Sequence, residues 1–405
     1  MKILFITGVY PVEYIEELTE AAYGKIQNAP NVFQWAVVEG LKENGSDYEI
    51  VSCPFLPSFP IHYKRLYTPR GPITKDGLWV GNMLRYSNMV AYKKMSIKRN
   101  LKNYIEDWVQ KHSMSDERLV ILTYTPYVPF IKAVKSLKKK YTNLVVASIV
   151  TDLVDDVMNF KSNRTIFKRL QCILEIKQTK KLYKYIDKFI LLALPMLEKI
   201  PEARDKFIIV EGIATKRHFT RKDFPVNEER TILYTGTLEE FSGIRELLYA
   251  FLNVKNRNAR LIICGSGPLE TEIKKCVLKD PRIIYKGLVS REVAIKLQTE
   301  ATLLINPRRP DGQITRFSFP SKTMEYLSSG TPMVGYKLEG IPEEYYDYYF
   351  TINDTSQESL VATLEHLLTS SCEKLYSMAY DAYNFIMINK TAKDQVRKIL
   401  EFIEE

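Results

Sequence analysis

Apolar residues recur along the chain in short runs that alternate with amphipathic segments. Residues 2–6 form a continuous apolar run with β-branched and aromatic members, which is typical of a buried parallel strand. Residues 31–44 carry apolar side chains at helical spacing and end before Gly45, and residues 48–52 form the next apolar run. This order predicts the opening of a doubly wound α/β sheet.

The same alternation continues through the chain and predicts two sheets. In the first half, further strands are predicted at 119–123, 144–150, 188–192 and 206–210, with helices at about 91–111, 129–140 and 164–186. In the second half, strands are predicted at 231–235, 260–264, 283–285, 302–305, 333–336 and 349–351. Residues 53–90 are rich in proline and aromatic side chains and are predicted to form a long functional loop.

The length of 405 residues exceeds what one hydrophobic core usually spans, so two domains are expected. We place the boundary near residue 215, which gives an N-terminal domain over 1–215 and a C-terminal domain over 216–385, followed by a helix over 386–405. No apolar run reaches the roughly 18 residues of a membrane span, and the first residues are too short for a signal peptide. A cytoplasmic protein is expected.

Positive charge is concentrated in the first half of the chain. Residues 55–185 hold 25 Lys and Arg against 9 Asp and Glu, whereas the whole chain has a net charge of only +10. Residues 161–188 alternate basic and apolar side chains, which is typical either of a helix on an anionic membrane surface or of a helix packed on a sheet. The five scattered cysteines indicate neither a disulfide framework nor a zinc site, so no metal is expected. Recognition motifs for nucleic acid are missing, so no nucleic-acid partner is expected.

A short, firmly bounded helix is predicted after Pro320. Gly330 can take the left-handed position that ends it, and Lys322 and Glu325 leave the same face because they are three residues apart. The first turn of a helix attracts phosphate, and a carboxylate one turn further on can accept hydrogen bonds from a ribose diol. On its own, the pattern equally describes a capped surface helix with a Lys–Glu pair.

The stretch from Arg316 to Val334 resembles the donor-nucleotide helix of the family-4 retaining glycosyltransferases, particularly their bacterial polysaccharide branch with its FPSK-x-x-EYL-x-x-G-x-P pattern. The similarity covers residues 230–352 well and the N-terminal half only in the order of elements. It implies the GT-B architecture, in which two Rossmann-like doubly wound domains hold the active site in the cleft between them. It also implies a donor in the C-terminal half, an acceptor in the N-terminal half, and a last helix that crosses back.

By this resemblance, the donor would be held by loops after the strands and by the Pro320 helix. The implied donor-binding residues are Gly236, Thr237, Gly265, Gly267, Gln313, Phe317, Ser318, Pro320, Ser321 and Glu325. Gly265-Ser-Gly267 taken alone is also typical of a tight strand-to-helix turn.

Two features depart from the family pattern. The basic residues that neutralise the leaving diphosphate would stand at Thr237 and Ser242, so Arg316 and Lys322 are predicted as catalytic cations instead, with Arg308 and Arg309 behind them in a loop that could simply be solvated. Phe317 replaces the first of two paired glutamates, and Gln313 is expected to take over part of its contact with the sugar.

Two residues of the N-terminal half are also predicted to be catalytic. Tyr127 stands where relatives often carry a histidine near the reacting sugar. Asp152, followed by Asp155 and Asp156, comes directly after a predicted strand, where carboxylates could contact acceptor hydroxyls or could cap a helix.

The resemblance implies a retaining, metal-independent hexosyl- or deoxyhexosyltransferase without a cofactor. It would move a sugar from a UDP- or dTDP-sugar to a hydroxyl of a lipid-linked bacterial polysaccharide at the inner face of the cell membrane. The apolar Phe317 suggests a 6-deoxyhexose donor such as rhamnose. A nucleotide-sugar epimerase of the same fold and a non-catalytic nucleotide-binding scaffold remain alternatives. The absence of a G-x-G-x-x-G motif after the first predicted strand counts against a dehydrogenase.

Overall fold

The computed structural model describes residues 1–24, 29–113, 117–153, 166–219 and 229–405. The chain divides into two compact units. Unit 1 comprises Met1–Leu192, Met196–Val210 and Ala392–Glu405, and unit 2 comprises Ala193–Pro195 and Glu211–Thr391. The sequence predicted the boundary between the domains near residue 215 and the start of the last helix at residue 386.

Unit 1 contains an eight-stranded sheet in the order β3-β4-β2-β1-β5-β6-β7-β8, which is parallel except for the edge strand β3. Its strands are β1 Lys2–Thr7, β2 Asp47–Ser52, β3 Gly71–Lys75, β4 Leu78–Met83, β5 Leu119–Tyr124, β6 Leu144–Val150, β7 Lys188–Leu191 and β8 Phe207–Ile209. Its helices are α1 Ile15–Glu20, α2 Ala29–Glu43, α3 Lys93–His112, α4 Val128–Lys138, α5 Ile166–Leu182 and, from the end of the chain, α13 Ala392–Glu404.

Unit 2 contains a six-stranded, fully parallel sheet in the order β11-β10-β9-β12-β13-β14. Its strands are β9 Arg230–Thr235, β10 Ala259–Cys264, β11 Ile283–Gly287, β12 Leu303–Asn306, β13 Met333–Tyr336 and β14 Phe350–Ile352. Its helices are α6 Ile244–Leu252, α7 Glu270–Lys279, α8 Arg291–Glu300, α9 Gln313–Arg316, α10 Ser321–Leu327, α11 Gln357–Thr369 and α12 Cys372–Asn389.

Helix α13 packs against α2 inside unit 1. Gly40 permits this close packing, because a Cβ atom there would lie 2.3 Å from Cγ2 of Val396. The side-chain amide of Asn44 also donates a hydrogen bond to the carbonyl oxygen of Lys393 at 2.9 Å. The end of the chain is therefore an integral part of the N-terminal unit.

The prediction of a loop over residues 53–90 is wrong in one part, because β3 and β4 form a hairpin there. Asp76 and Gly77 both adopt positive φ, at 53° and 78°, as the tight turn between two twisted strands requires. Within the described ranges, no helix has both the length and the apolar content to cross a membrane.

Candidate functional site

Helix α10 is organised much as the sequence indicates. Pro320 occupies the N-cap position, one residue earlier than the first helical turn predicted for it, and Gly330 adopts a φ of +74° just after the helix. Tyr326 and Leu327 point into the core, whereas Lys322 and Glu325 share the less buried side. The helix has only seven residues, so its dipole is small and charged side chains dominate the electrostatics of this region.

The ammonium group of Lys322 lies against the backbone at the carboxyl end of β9. A Cβ atom on Gly236 would lie 2.1 Å from its Nζ, so a larger residue there would displace the end of this lysine. The Nζ is 5.6 Å from the centre of the Tyr234 ring, and no hydrogen bond or ion pair joins it to any described residue. Burial, reinforced by Arg308, lowers the pKa of Lys322, although Glu325 opposes this shift. The protein thus holds a desolvated cation beside a strand end.

Two glycine-containing loops meet next to this lysine. The backbone N–H of Gly236 donates to the carbonyl oxygen of Cys264 at 2.9 Å, so the loop after β9 is tied to β10. A Cβ atom on Gly265 would lie 1.7 Å from the carbonyl oxygen of Gly236, and one on Gly267 would lie 2.6 Å from that of Leu238. The two loops therefore form one edge at the carboxyl ends of adjacent parallel strands, where ligands bind in such sheets.

Glu325 is held by a network that the sequence analysis missed. Its Oε1 accepts a hydrogen bond from Nε2 of Gln298 at 2.6 Å, and the guanidinium of Arg217 lies 3.7 Å away. Gln298 also donates to Oγ1 of Thr235 and accepts a hydrogen bond from Arg217 at 2.8 Å. The available signal was a polar residue at a position of α8 that an apolar side chain would normally occupy. The network fixes the direction in which the carboxylate points.

The three arginines after β12 have different partners. Arg316 donates to Oε2 of Glu339 at 2.7 Å, and Arg309 pairs with Asp311 at 2.9 Å. Among the described residues, Arg308 donates to two hydroxyl groups, those of Thr315 at 3.1 Å and Ser318 at 2.9 Å. The structure therefore leaves Arg316 outside the cluster around Lys322 and brings in Arg308.

The remaining predicted donor residues differ in their surroundings. Phe317 is only 6% exposed, and the Arg316 guanidinium lies 5.3 Å from its ring centre. Thr237 and Ser321 are exposed, and Ser318 is the partner of Arg308. The structure describes the backbone of Gln313 but not its side chain.

In unit 1, Tyr127 and Asp152 line one cavity with a volume of about 260 Å³. It lies at the carboxyl ends of β1, β5 and β6, beside the point where the strand order reverses, which favours ligand binding. Its lining is aromatic and acidic, with Tyr10, Phe55, Tyr124, Tyr127, Asp152 and Glu175.

Local geometry and electrostatics also set this cavity apart. Thr125 in its wall has a φ of +65°, a strained backbone conformation of the kind that clusters at functional sites. Surrounding protein atoms raise the pKa of Asp152, although a hydrogen bond with Thr151 opposes the shift, and burial followed by Glu175 raises the pKa of Tyr127. Asp155 and Asp156 lie outside the described residues.

Comparison with known proteins places this architecture in the GT-B fold class. The structure superposes on the lipopolysaccharide outer core galactosyltransferase WaaB with a TM-score of 0.62 and 13% identity, covering 100% of this chain and 99% of that one. An α,α-trehalose-phosphate synthase (UDP-forming) from Burkholderia xenovorans gives a TM-score of 0.66 at 11% identity, with 100% of both chains covered. A glycosyltransferase from Rickettsia africae gives 0.60 at 14% identity, covering 100% of this chain and 97% of that one.

Sequence comparison gives a narrower result. Residues 229–370, which hold the Lys322 cluster, match the family model described as "Glycosyl transferases group 1". No curated protein sequence matches the chain. The GT-B fold predicted from the sequence is confirmed.

Proposed function

We propose that this protein is a glycosyltransferase that moves a sugar from a nucleoside-diphosphate sugar to a hydroxyl group of a glycan acceptor. The observation that carries the proposal is the position of Lys322, a desolvated cation against Gly236 that forms no ion pair or hydrogen bond with a described residue, although Glu325 acts on it from a greater distance. An anionic ligand at the two glycine loops would supply the missing negative charge. Glu325, one helical turn away, would accept hydrogen bonds from the ribose of the same donor.

In the proposed reaction, the bond between the anomeric carbon and the diphosphate oxygen breaks, and the acceptor oxygen bonds to the anomeric carbon with retention of configuration. The proton of the acceptor hydroxyl passes to the departing diphosphate. Positive charge fixed in advance beside that diphosphate lowers the barrier, because it stabilises charge that develops in the transition state. We therefore propose a metal-independent reaction without a cofactor.

For the donor, we propose a UDP- or dTDP-sugar. A 6-deoxyhexose such as rhamnose remains one candidate, although the burial of Phe317 leaves little of its ring to form an apolar wall against the sugar. For the acceptor, we propose that the cavity holding Tyr127 and Asp152 binds the terminal sugar of a lipid-linked bacterial polysaccharide intermediate. The carboxylate of Asp152 can accept hydrogen bonds from its hydroxyl groups.

We further propose that unit 1 binds an anionic membrane surface through one face of α5. Leu170, Ile173 and Leu174 follow helical spacing and are all exposed, so this part of the stripe does not pack on the sheet. Lys94 of α3 forms an ion pair with Glu175 at 2.7 Å, which brings the basic start of α3 beside this apolar face. An exposed apolar face bordered by lysines is typical of helices that lie in a membrane interface. The side chains of residues 161–169 lie outside the described part of the segment.

Thermal-shift measurements with UDP, dTDP, uridine and thymidine test the donor site first. Binding of at least one diphosphate should raise the melting temperature. At a ligand concentration of 100 times the Kd, the free energy of unfolding should increase by about 2.7 kcal/mol. A screen of the matching nucleotide sugars should then show release of the diphosphate, faster with a glycan acceptor than without it.

Three other results would contradict the proposal. Conversion of the donor sugar without an acceptor would identify an epimerase, and nucleotide binding without any turnover would identify a scaffold. Failure to bind any nucleoside diphosphate would remove the donor site altogether.

A further inference from the structure

Arg308 is a partly buried cation whose partners are all uncharged. Its Nε and one terminal nitrogen donate to the hydroxyl groups of Thr315 and Ser318, and its guanidinium lies 5.4 Å from the centre of the Phe241 ring. No carboxylate pairs with it in the part of the chain that the structure describes. Three of its five N–H groups therefore remain available to a ligand.

Arg308 and Lys322 converge on the same place. The Lys322 ammonium lies 5.6 Å from the centre of the Tyr234 ring, in β9. The Arg308 guanidinium lies 5.4 Å from the centre of the Phe241 ring, in the segment that follows β9. The positive charge of Arg308 also opposes the rise that burial causes in the pKa of Tyr234. The two cations also repel one another enough for Arg308 to lower the pKa of Lys322, after the larger effect of burial. The Tyr234 hydroxyl itself donates to the carbonyl oxygen of Thr237 at 2.7 Å, so this meeting point lies at the loop after β9.

Two cations held close together, with the carboxylate of Glu325 as their one negative neighbour among the described residues, destabilise a folded protein, because burial removes hydration and like charges repel. Such an arrangement is stabilised by a ligand that brings two or more negative charges. A phosphate or diphosphate suits it well, because the planar guanidinium can bind two phosphate oxygens at once while the ammonium acts as a point charge.

We infer that Arg308 and Lys322 together bind the diphosphate of the donor, with Arg308 supplying the charge that Thr237 and Ser242 lack. This inference rests on the proposed function. It assigns Arg308 as a diphosphate-binding residue and leaves Arg316 and Arg309 to their carboxylate partners at the surface.

The test compares Arg308→Met with Arg309→Met, a matched control in the adjacent position. Calorimetry with UDP, dTDP and inorganic pyrophosphate, and NMR titration with uridine and thymidine, separate contacts to phosphate from contacts to the nucleoside. Arg308→Met should weaken binding of the diphosphates about tenfold or more and leave nucleoside binding unchanged, because it removes charge-assisted hydrogen bonds to phosphate only. Arg309→Met should leave both unchanged.

A second positively charged side chain that reaches the diphosphate should restore diphosphate binding to Arg308→Met. Thr237 is exposed, so Thr237→Arg introduced into the Arg308→Met protein can reach the diphosphate and should recover most of the lost affinity. The pH profile gives a second check, because diphosphate affinity falls as Lys322 loses its proton. Since Arg308 lowers the pKa of Lys322, this fall should move to higher pH in Arg308→Met.

The possible outcomes separate the inference from the proposed function. If the unchanged protein binds a nucleoside diphosphate and Arg308→Met binds it equally well, the inference is overturned and the donor site stands. Equal losses of nucleoside and diphosphate binding would overturn it too, since they would show a structural role. If the unchanged protein binds no diphosphate at all, both the inference and the proposed function fail.

Discussion

Replacing Glu325 with alanine should weaken nucleotide binding and also destabilise unit 2. The carboxylate accepts a 2.6 Å hydrogen bond from Gln298, and it lies 3.7 Å from the guanidinium of Arg217. Gln298 is completely buried and the Arg217 side chain is only 9% exposed, so neither can turn to water when the carboxylate is removed. The Nε of Arg217 already lacks a hydrogen-bond partner among the described residues.

The size of the loss follows from these contacts. A hydrogen bond to a charged group contributes about 1.5–3 kcal/mol, and an ion pair with a carboxylate as exposed as that of Glu325 adds about 0–1 kcal/mol. The expected destabilisation is therefore about 1.5–4 kcal/mol, which corresponds to roughly 3–16 °C in melting temperature for a unit of this size. Glu325→Gln keeps an oxygen acceptor for Gln298, so its cost should be about 1 kcal/mol.

Scanning calorimetry of the ligand-free variants measures the stability term, and titration with the nucleotide that binds measures the affinity term. Both variants should lose about tenfold in affinity, because each removes the charged acceptor for the ribose diol. Glu300→Ala, on the exposed side of α8, is the control and should change neither quantity. A melting temperature of Glu325→Ala equal to that of the unchanged protein would refute the network argument, and an unaltered nucleotide affinity would remove Glu325 from the donor site.

Two further predictions concern the membrane face and the start of unit 2. Binding of the protein to anionic liposomes should be strong at low salt and lost at high salt. Leu174→Asp should weaken this binding, whereas the control Leu278→Asp, at an 88% exposed leucine of unit 2, should not. Equal binding to neutral liposomes would contradict the proposal. Lys390→Met should cost about 3–5 kcal/mol, because burial alone would raise the pKa of Glu211 and the Lys390 ammonium holds it below its ordinary value. Chemical denaturation should show that the double variant Lys390→Met/Glu211→Gln recovers part of this loss. A double variant no more stable than Lys390→Met alone would contradict the pairing of Lys390 with Glu211.

The sequence predicted the strands of unit 2 to within about two residues because all of them are parallel strands and the central ones are largely buried. Leu303–Asn306 and Met333–Tyr336 are buried along their whole length, so each appears as an uninterrupted apolar run with no competing interpretation. The hairpin of β3 and β4 was missed for the opposite reason. It forms an edge with exposed Leu78 and Trp79, and its clearest signal was the Asp76-Gly77 pair, a sequence favoured in tight hairpin turns.

The candidate donor site could be predicted only as far as local sequence determines it. The spacing of Lys322 and Glu325 fixes a common face of α10, and Gly330 fixes where that helix ends. Gln298 and Arg217 lie 27 and 108 positions before Glu325 in the sequence, so nothing local connects them to it. Their roles follow from packing α8 and the start of unit 2 against the same carboxylate.

The choice among the three arginines shows the same limit most clearly. Arg308, Arg309 and Arg316 are chemically identical in the sequence, and each precedes the Pro320 helix closely enough to reach a ligand. What separates them is the compensation of charge. Arg309 and Arg316 pair with carboxylates near the surface, whereas Arg308 has hydroxyl groups and an aromatic ring as its partners among the described residues. A cation that the fold desolvates without neutralising is free to neutralise a ligand. We therefore select Arg308 by the carboxylate partner that it lacks among the described residues, which only the folded chain reveals.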